Sequence, residues 1–311
     1  MARAFVFPGQ GSQTVGMGRA LAESFPAARE VFEEVDDAVG RRLSAIIWDG
    51  PMEALTLTAN AQPALMAHSI AMLRVLEKEA GVDIENAMFL AGHSLGEYTA
   101  LCAARAIRLA DTARLLRVRG EAMQDAVPAG EGAMAALIGV DLEAAQKAID
   151  AAPSAGVCEI ANDNAPGQVV ISGDKARVEA VCAGAKAFGV KMAKLLPVSA
   201  PFHCSLMAPA AAKMQKALEK AAITAPLTPV IANVTAREAT SPADIRALLV
   251  KQVTGRVRWT ESVLYMTEKG CDAFVEIGAG KVLAGLIKRI AKDAKTISVG
   301  EPADIEAFAK W

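Results

Sequence analysis

Apolar residues recur along this chain in two spacings, and the alternation between them outlines a fold. Short apolar runs ended by Gly or Pro read as strands buried on both faces. Ala4–Phe7 is stopped by Pro8-Gly9, and Ala273–Ile277 ends at Gly278-Ala279-Gly280; Ala87–Ala91 and Pro229–Val234 are similar runs. Between them, apolar residues return every three or four positions, as the face of a helix requires. Leu65, Met66, Ile70, Leu73 and Leu76 make one such stripe, and Met207–Ala222 and Lys281–Ala291 two more. From Glu97 onward the helical spacing continues to Gln124, with no Pro or internal Gly until Gly120. Strand, loop and helix in this order predict an α/β chain with a parallel sheet covered by helices.

The middle of the chain reads differently. Strand-like Ala133–Val140 is followed by helix-like Leu142–Ala152, and strand-like Val157–Ala161 and Gln168–Ser172 are joined by Asn162-Asp163-Asn164-Ala165-Pro166-Gly167, a turn signal. Helical Lys175–Phe188 and strand-like Lys191–Val198 complete the set. The order β-α-β-β-α-β over about 70 residues is the ferredoxin-like pattern. Pro128-Ala129-Gly130 and Pro197 are plausible hinges. The expectation is a small ferredoxin-like domain, 128–198, inserted into a larger hydrolase-like α/β domain formed by 1–127 and 199–311.

Composition narrows the function classes. Of the 311 residues 53% are hydrophobic and 22% charged, enough apolar material for a sizeable core. A formal net charge of -2 lacks the basic footprint that nucleic-acid binding needs. Cys102, Cys158, Cys182, Cys204 and Cys271 are scattered and odd in number, with no C-x-x-C pair, so neither a disulfide framework nor a zinc site is expected. No stretch approaches 18 apolar residues and the N-terminal apolar run is short for a signal peptide, so a soluble cytoplasmic protein that does not bind membranes is expected.

The chemistry gathers at Phe89-Leu90-Ala91-Gly92-His93-Ser94-Leu95-Gly96-Glu97. Gly92-x-Ser94-x-Gly96 between a strand and a helix has the form of a nucleophile elbow, in which a sharp turn lifts the serine above the sheet edge. A serine in a tight loop is the alternative, and the strand–turn–helix context favours the nucleophile. The N–H of Leu95 is then available to a developing oxyanion. Serine needs a base at neutral pH, and there are three histidines to choose from. His68 sits in an apolar helical stripe and reads as structural. His93 adjoins Ser94 on a turn where neighbours point apart, so it orders the loop or lines the site. His203 lies in a Pro-bearing loop before a helix, where bases sit, and is the choice. No acidic partner is evident, so a dyad with Nδ1 donating to a backbone carbonyl is expected. The loop Phe7-Pro8-Gly9-Gln10-Gly11-Ser12-Gln13 lacks the last glycine of a dinucleotide fingerprint and the lysine of a P-loop, but its N–H groups suit a second oxyanion donor. Gly278-Ala279-Gly280-Lys281 lacks the P-loop Ser/Thr and reads as a strand–helix turn.

Taken together, FPGQGSQ at 7–13, GHSLGE at 92–97 and APFHCSLM at 200–207 resemble the malonyl-CoA:acyl carrier protein transacylase family of bacterial fatty acid synthesis, across essentially the whole chain. They are similar also to the acyltransferase domains of polyketide synthases. The resemblance implies a malonylated Ser94 with His203 as base and an oxyanion hole from the N–H groups of Gln10 and Leu95. It implies that Arg119 binds the malonyl carboxylate, that the backbone carbonyl of Gln252 orients the histidine, that Phe202 favours malonyl over methylmalonyl, and that Gln62 lines the site. On the residues alone Arg119 reads as a solvated arginine, with Arg105, Arg108, Arg114 and Arg117 nearby. A buried malonyl carboxylate, however, needs a cation, and a guanidinium binds it bidentately. The partners implied are malonyl-CoA and acyl carrier protein, acting on a monomer by ping-pong transfer with no metal or other cofactor. Lys191, Lys194, Lys281, Lys288 and Arg289 are candidates for docking an acidic carrier protein. A serine hydrolase or thioesterase would share Ser94 and His203 without needing Arg119. A non-catalytic scaffold that binds carrier protein would leave Ser94 unacylated.

Overall fold

The computed structural model describes residues 2–153 and 155–311. Its strands are β1 (Arg3–Phe7), β2 (Phe89–Gly92), β3 (Gly132–Ile138), β4 (Cys158–Ala165), β5 (Gln168–Asp174), β6 (Met192–Leu195), β7 (Val230–Ala232), β8 (Arg237–Ala239), β9 (Val257–Arg258), β10 (Ala273–Ile277) and β11 (Lys295–Val299). They form two sheets, ordered β11-β10-β1-β2-β7-β8 and β6-β3-β5-β4-β9. In the first sheet every pairing is parallel except that of β8, which runs antiparallel to β7 at the edge.

The pleat explains why this sheet needs cover on both sides. Successive side chains point to opposite faces, so Phe5, Phe7, Leu90, Val275 and Ile277 enter one apolar cluster, and Ala4, Val6, Phe89, Ala91 and Phe274 enter another. Unbroken apolar runs are the sequence form of that double burial. Helices close the first cluster, among them Thr58–Glu79 and Leu109–Asp125. Pro63 has no N–H, so it leaves the carbonyl of Ala59 without its helical donor, and Arg117 Nη1 approaches that oxygen at 3.4 Å.

The helical stretch predicted from Glu97 to Gln124 is two helices, Leu95–Ala103 and Leu109–Asp125. The break is a local turn, with Ala106 N–H bonded to the carbonyl of Leu101, that is also held from outside. Arg105 adopts φ 61°, and the carbonyls of Ala104 and Ala106 accept from the N–H groups of Leu227 and Thr224. Gly120 does not end the second helix. A Cβ there would lie 2.5 Å from Cα of Ala59, so this glycine marks a close helix crossing.

The second sheet carries elements in the order strand, helix, strand, strand, helix, strand from Gly132 to Leu195. Its own cluster includes Leu137, Val169, Ile171, Val178 and Val181. Two details differ from the sequence pattern. The supposed turn 162–167 is mostly strand: β4 continues to Ala165 through two register shifts, and the turn is confined to Pro166 and Gly167. Extra residues absorbed as bulges let polar asparagines stay in a ladder. Also, β9 joins β4 in parallel, so a segment far along the chain completes this sheet. Short edge strands such as β8 and β9 leave little periodic signal.

Candidate active site

The elbow is built by close backbone approach. A Cβ on Gly92 would fall 1.9 Å from the carbonyl oxygen of Gly96, and one on Gly96 would fall 2.3 Å from that of Phe7. Only glycine fits either position, and the turn thereby packs on the end of β1. Ser94 itself has φ 55°, ψ -109°, a strained conformation for a residue with a side chain. Asn233, just beyond β7, clamps it: Ser94 N–H donates to Asn233 Oδ1 at 2.8 Å, and Asn233 Nδ2 donates to the carbonyl of Gly92 at 2.7 Å. Leu95 begins the next helix, so its N–H is among those without an acceptor inside that helix.

Ser94 Oγ lies 2.7 Å from His203 Nε2. His203 has φ 57° and is buried. Its Nδ1 lies 2.9 Å from the carbonyl of Gln252 and 3.1 Å from that of Gly255, both of which can only accept. The proton therefore sits on Nδ1, and Nε2 presents a lone pair to the serine hydroxyl. Burial, then the charge of Arg119, then His93 push His203 down to about 3. The ring is neutral at neutral pH.

Arg119 is 1% exposed although its helix is amphipathic and rich in arginine. Its Nη1 donates to Gln62 Oε1 at 2.8 Å, and its Nη2 donates to Ser94 Oγ at 3.1 Å and Gln252 Oε1 at 2.8 Å. Tyr98 lies beneath the guanidinium, 5.5 Å from its carbon to the ring centroid. Among the described residues no carboxylate lies within ion-pair distance of Arg119. A buried cation ringed by three neutral oxygens can take an anion.

A cavity of about 250 Å³ opens over Ser94 and His203. Gln10 and His93 line it, and Phe202, Met134, Val170 and Leu196 give it an apolar wall drawn partly from the second sheet. Gln10 Nε2 donates to Thr58 Oγ1 at 3.2 Å. The geometry thus gathers Gln10, Gln62, His93, Ser94, Leu95, Arg119, Phe202, His203 and Gln252 in one place. His68 stands apart, buried, with Nε2 2.8 Å from the carbonyl of Gly300.

Several site residues escaped the sequence reading. His93 Nε2 lies 2.8 Å from Asn164 Oδ1 and 3.4 Å from Asn162 Nδ2, two asparagines whose letters looked like turn. Asn233 sat unnoticed at the end of an apolar run. Glu97, in the sequence only the start of a helical stretch and the end of GHSLGE, is 2% exposed. Its Oε2 accepts from Gln252 Nε2 at 2.7 Å and from Asn233 N–H at 2.9 Å, and burial pushes its carboxyl up to about 7. The motif GHSLGE contained that glutamate, but only the surrounding fold shows that it is buried. Among the described residues no group of His, Cys, Asp or Glu could hold a metal ion, and no helix is long and apolar enough to cross a membrane.

Residues 4–303 match the family model described as the acyl transferase domain. The chain is 48% identical over 304 residues to the malonyl CoA-acyl carrier protein transacylase of Bacillus subtilis (strain 168), covering 97% of this chain and 95% of that protein. It is 46% identical to the protein of the same name from Escherichia coli (strain K12), covering 98% and 97%. Among solved structures it is similar to the acyl-carrier-protein-S-malonyltransferase of Bartonella henselae, with a TM-score of 0.96, 55% identity and coverage of 100% and 99%. A malonyl-transacylase solved in complex with a type II polyketide synthase acyl-carrier protein gives a TM-score of 0.96 at 42% identity, covering 100% of this chain and 99% of that one.

Proposed function

The chain belongs to the acyl transferase domain family, and from that membership we propose that it moves a malonyl group from malonyl-CoA to the phosphopantetheine thiol of acyl carrier protein through a malonyl ester on Ser94, supplying malonyl-acyl carrier protein for fatty acid synthesis. It is an acyltransferase. The observation that carries the specific reading is the placement of one hydroxyl against two groups. Ser94 Oγ has a neutral imidazole nitrogen at 2.7 Å and a buried guanidinium nitrogen at 3.1 Å. The first suits proton removal, and the second suits a short acyl chain that ends in a carboxylate.

The reaction runs in two mirrored halves. Ser94 Oγ attacks the thioester carbonyl while its proton passes to His203 Nε2. The carbonyl oxygen becomes an oxyanion, held by the N–H groups of Leu95 and Gln10. The C–S bond breaks, and the leaving thiolate of CoA takes the proton from His203. The carrier-protein thiol then gives its proton to His203 and attacks the ester, and Ser94 leaves with that proton. Gln252 and Gly255 carbonyls favour the imidazolium that forms in each half.

Arg119 links selectivity to base strength. Its charge is one of the causes that depress His203. A malonyl carboxylate on the guanidinium neutralises that charge and lets His203 recover basicity when the correct acyl group is present. Phe202 on the cavity wall limits bulk near the acyl carbon, and His93 holds the wall to β4 through Asn164. We assign the large unit to 1–127 and 199–311 in a hydrolase-like core, and 128–198 to a ferredoxin-like unit. The carrier protein docks along one end of that second sheet. Support comes from exposed cations there: Lys191, and Arg289, whose guanidinium also holds Gln168 and the carbonyl of Pro166. Lys194, Lys281 and Lys288 are also exposed. The enzyme acts as a cytoplasmic monomer without metal or other cofactor.

Intact mass after incubation with malonyl-CoA tests the first half. A malonyl adduct is expected on the wild type and not on Ser94→Ala. Steady CoA release with no adduct would replace this reading by a thioesterase, and no reaction would leave a scaffold.

A further inference from the structure

Glu97 is a buried carboxylate that the mechanism above does not use. It lies in the first turn of the helix that Ser94 opens and does not line the cavity. Its Oε2 accepts from the side-chain amide of Gln252 and from the backbone of Asn233. The same Gln252 amide accepts from Arg119 through its oxygen and also donates to the Ser94 carbonyl at 3.0 Å. One amide therefore stands between a buried carboxylate and a buried guanidinium. Asn233, the other partner, holds the Ser94 backbone.

Charge accounting makes this arrangement consequential. In the empty site Arg119 and Glu97 balance each other at one amide's remove, without direct contact. A malonyl carboxylate on Arg119 would leave two carboxylates and one guanidinium in a volume nearly closed to solvent. Buried like charges repel strongly, and one of a close pair of carboxylates then holds a proton. The arriving carboxylate is bonded to the cation, so Glu97 is the one to be protonated.

We infer that Glu97 is the internal counter-charge of the site, a positioning residue that balances Arg119 across Gln252 while the site is empty and takes up a proton when a malonyl carboxylate binds. This rests on the reading of Arg119 as the carboxylate-binding group. The groups facing Glu97 fit the role. Arg119 comes from the helix Leu109–Asp125 and Tyr98 from its own helix, while Gln252 and Asn233 are neutral. His203 and His93 are the other titratable groups of the site. Burial already raises the Glu97 carboxyl to about 7, where a small added repulsion changes its protonation.

The test counts protons. Malonyl-CoA and acetyl-CoA are each bound to the inert Ser94→Ala protein at pH 7.5 to 8, by calorimetry in two buffers of different ionisation enthalpy. Both ligands carry the same CoA phosphates, so the difference reports the acyl carboxylate alone. The expected difference is an uptake approaching one proton for malonyl-CoA, absent when Glu97→Gln is added. In the active enzyme, KM for malonyl-CoA should rise by up to about tenfold per pH unit above 7, and Glu97→Gln should flatten that rise. Equal proton counts for the two ligands overturn the inference, as does an uptake that survives Glu97→Gln. If Glu97→Gln does not fold, the two-ligand comparison with Glu97 intact still decides. Arg119→Ala separates the two levels. If it keeps the preference for malonyl-CoA over acetyl-CoA, the reading of Arg119 fails and the Glu97 role with it. If it loses the preference while proton counts are equal, only the Glu97 role fails.

Discussion

Two buried groups converge on Ser94 Oγ, and they are held in different ways. His203 is oriented by backbone carbonyls, those of Gln252 and Gly255. Arg119 is oriented by side-chain amides, those of Gln62 and Gln252. A backbone carbonyl survives substitution of its own residue, whereas a side-chain amide does not. On the proposed mechanism, the His203 half of the site, where proton transfer is assigned, is therefore the less sensitive to side-chain change, and the Arg119 half, where acyl recognition is assigned, is the more open to it. Gln252 belongs to both halves: its carbonyl holds His203, its amide oxygen holds Arg119 and its amide nitrogen also reaches the Ser94 backbone, so it is the place to pull them apart.

The largest expected effect is on the proton-transfer side. His203→Ala should lower the rate of Ser94 acylation by about a hundredfold to ten-thousandfold, for malonyl and uncharged acyl donors alike. Stopped-quench mass spectrometry reads that rate, and a loss confined to malonyl donors would contradict a general base. Arg119→Ala comes next. Malonyl transfer should fall by about a hundredfold to a thousandfold, as for removal of one partner from a buried charge pair, while acetyl transfer is spared or improved. Competition between the two donors measures this, and an unchanged donor ratio would return Arg119 to a structural role.

Gln252→Ala should give a smaller and more selective change. The carbonyl that holds His203 stays, so the pH dependence of kcat should keep its form. The lost amide should raise KM for malonyl-CoA by about tenfold, near the value of one buried hydrogen bond to a charge. A change in the pH profile with little change in KM would show that the two halves are not insulated.

The smallest effect is on stability. Burial lowers His68, His93 and His203 relative to the unfolded chain, so the unfolded state binds more protons below pH 6.5 and stability rises with pH there. Glu97 has the opposite sign. Its folded carboxyl is raised from 4.5 to about 7, so the folded state holds the extra proton and stability falls as pH rises through that window. The two slopes oppose each other between pH 4.5 and 6.5. Glu97→Gln removes one of them and should steepen the gain in stability by up to about 1.4 kcal/mol per pH unit. Urea midpoints across that range check this, and parallel curves for the two proteins would contradict a protonated buried Glu97.

Legibility in the sequence followed the range of the interaction concerned. The doubly buried strands β1 and β2 announced themselves, because burial on both faces demands unbroken apolar runs; β10 is apolar except for Glu276, whose buried carboxylate accepts from the N–H groups of Leu283 and Ala284. The elbow was visible because the clash that demands glycine at Gly92 is with Gly96, inside the same short motif, although Gly96 in turn answers to the distant Phe7. His203 could be singled out because only three histidines were present. Arg119 could not be told from its neighbours by spacing, and only the resemblance to a family drew attention to it. The helix break at 104–108 was not legible, because its local turn, with Ala106 N–H bonded to the carbonyl of Leu101, needs a left-handed Arg105 that no glycine marks, and its other bonds come from Thr224 and Leu227, over a hundred positions away.

The sequence by itself determined the parallel α/β core, the sharp turn that carries Ser94 and a loop histidine as its candidate partner, since the first depends on periodicity, the second on local sterics and the third on there being only three histidines. Tertiary structure decided which arginine turns inward, which glutamate loses its solvent, how asparagines that look like turn become a strand beside His93, and how β9 completes a sheet begun much earlier. Those outcomes depend on desolvation and on partners distant in the chain, and no short stretch of residues carries that information.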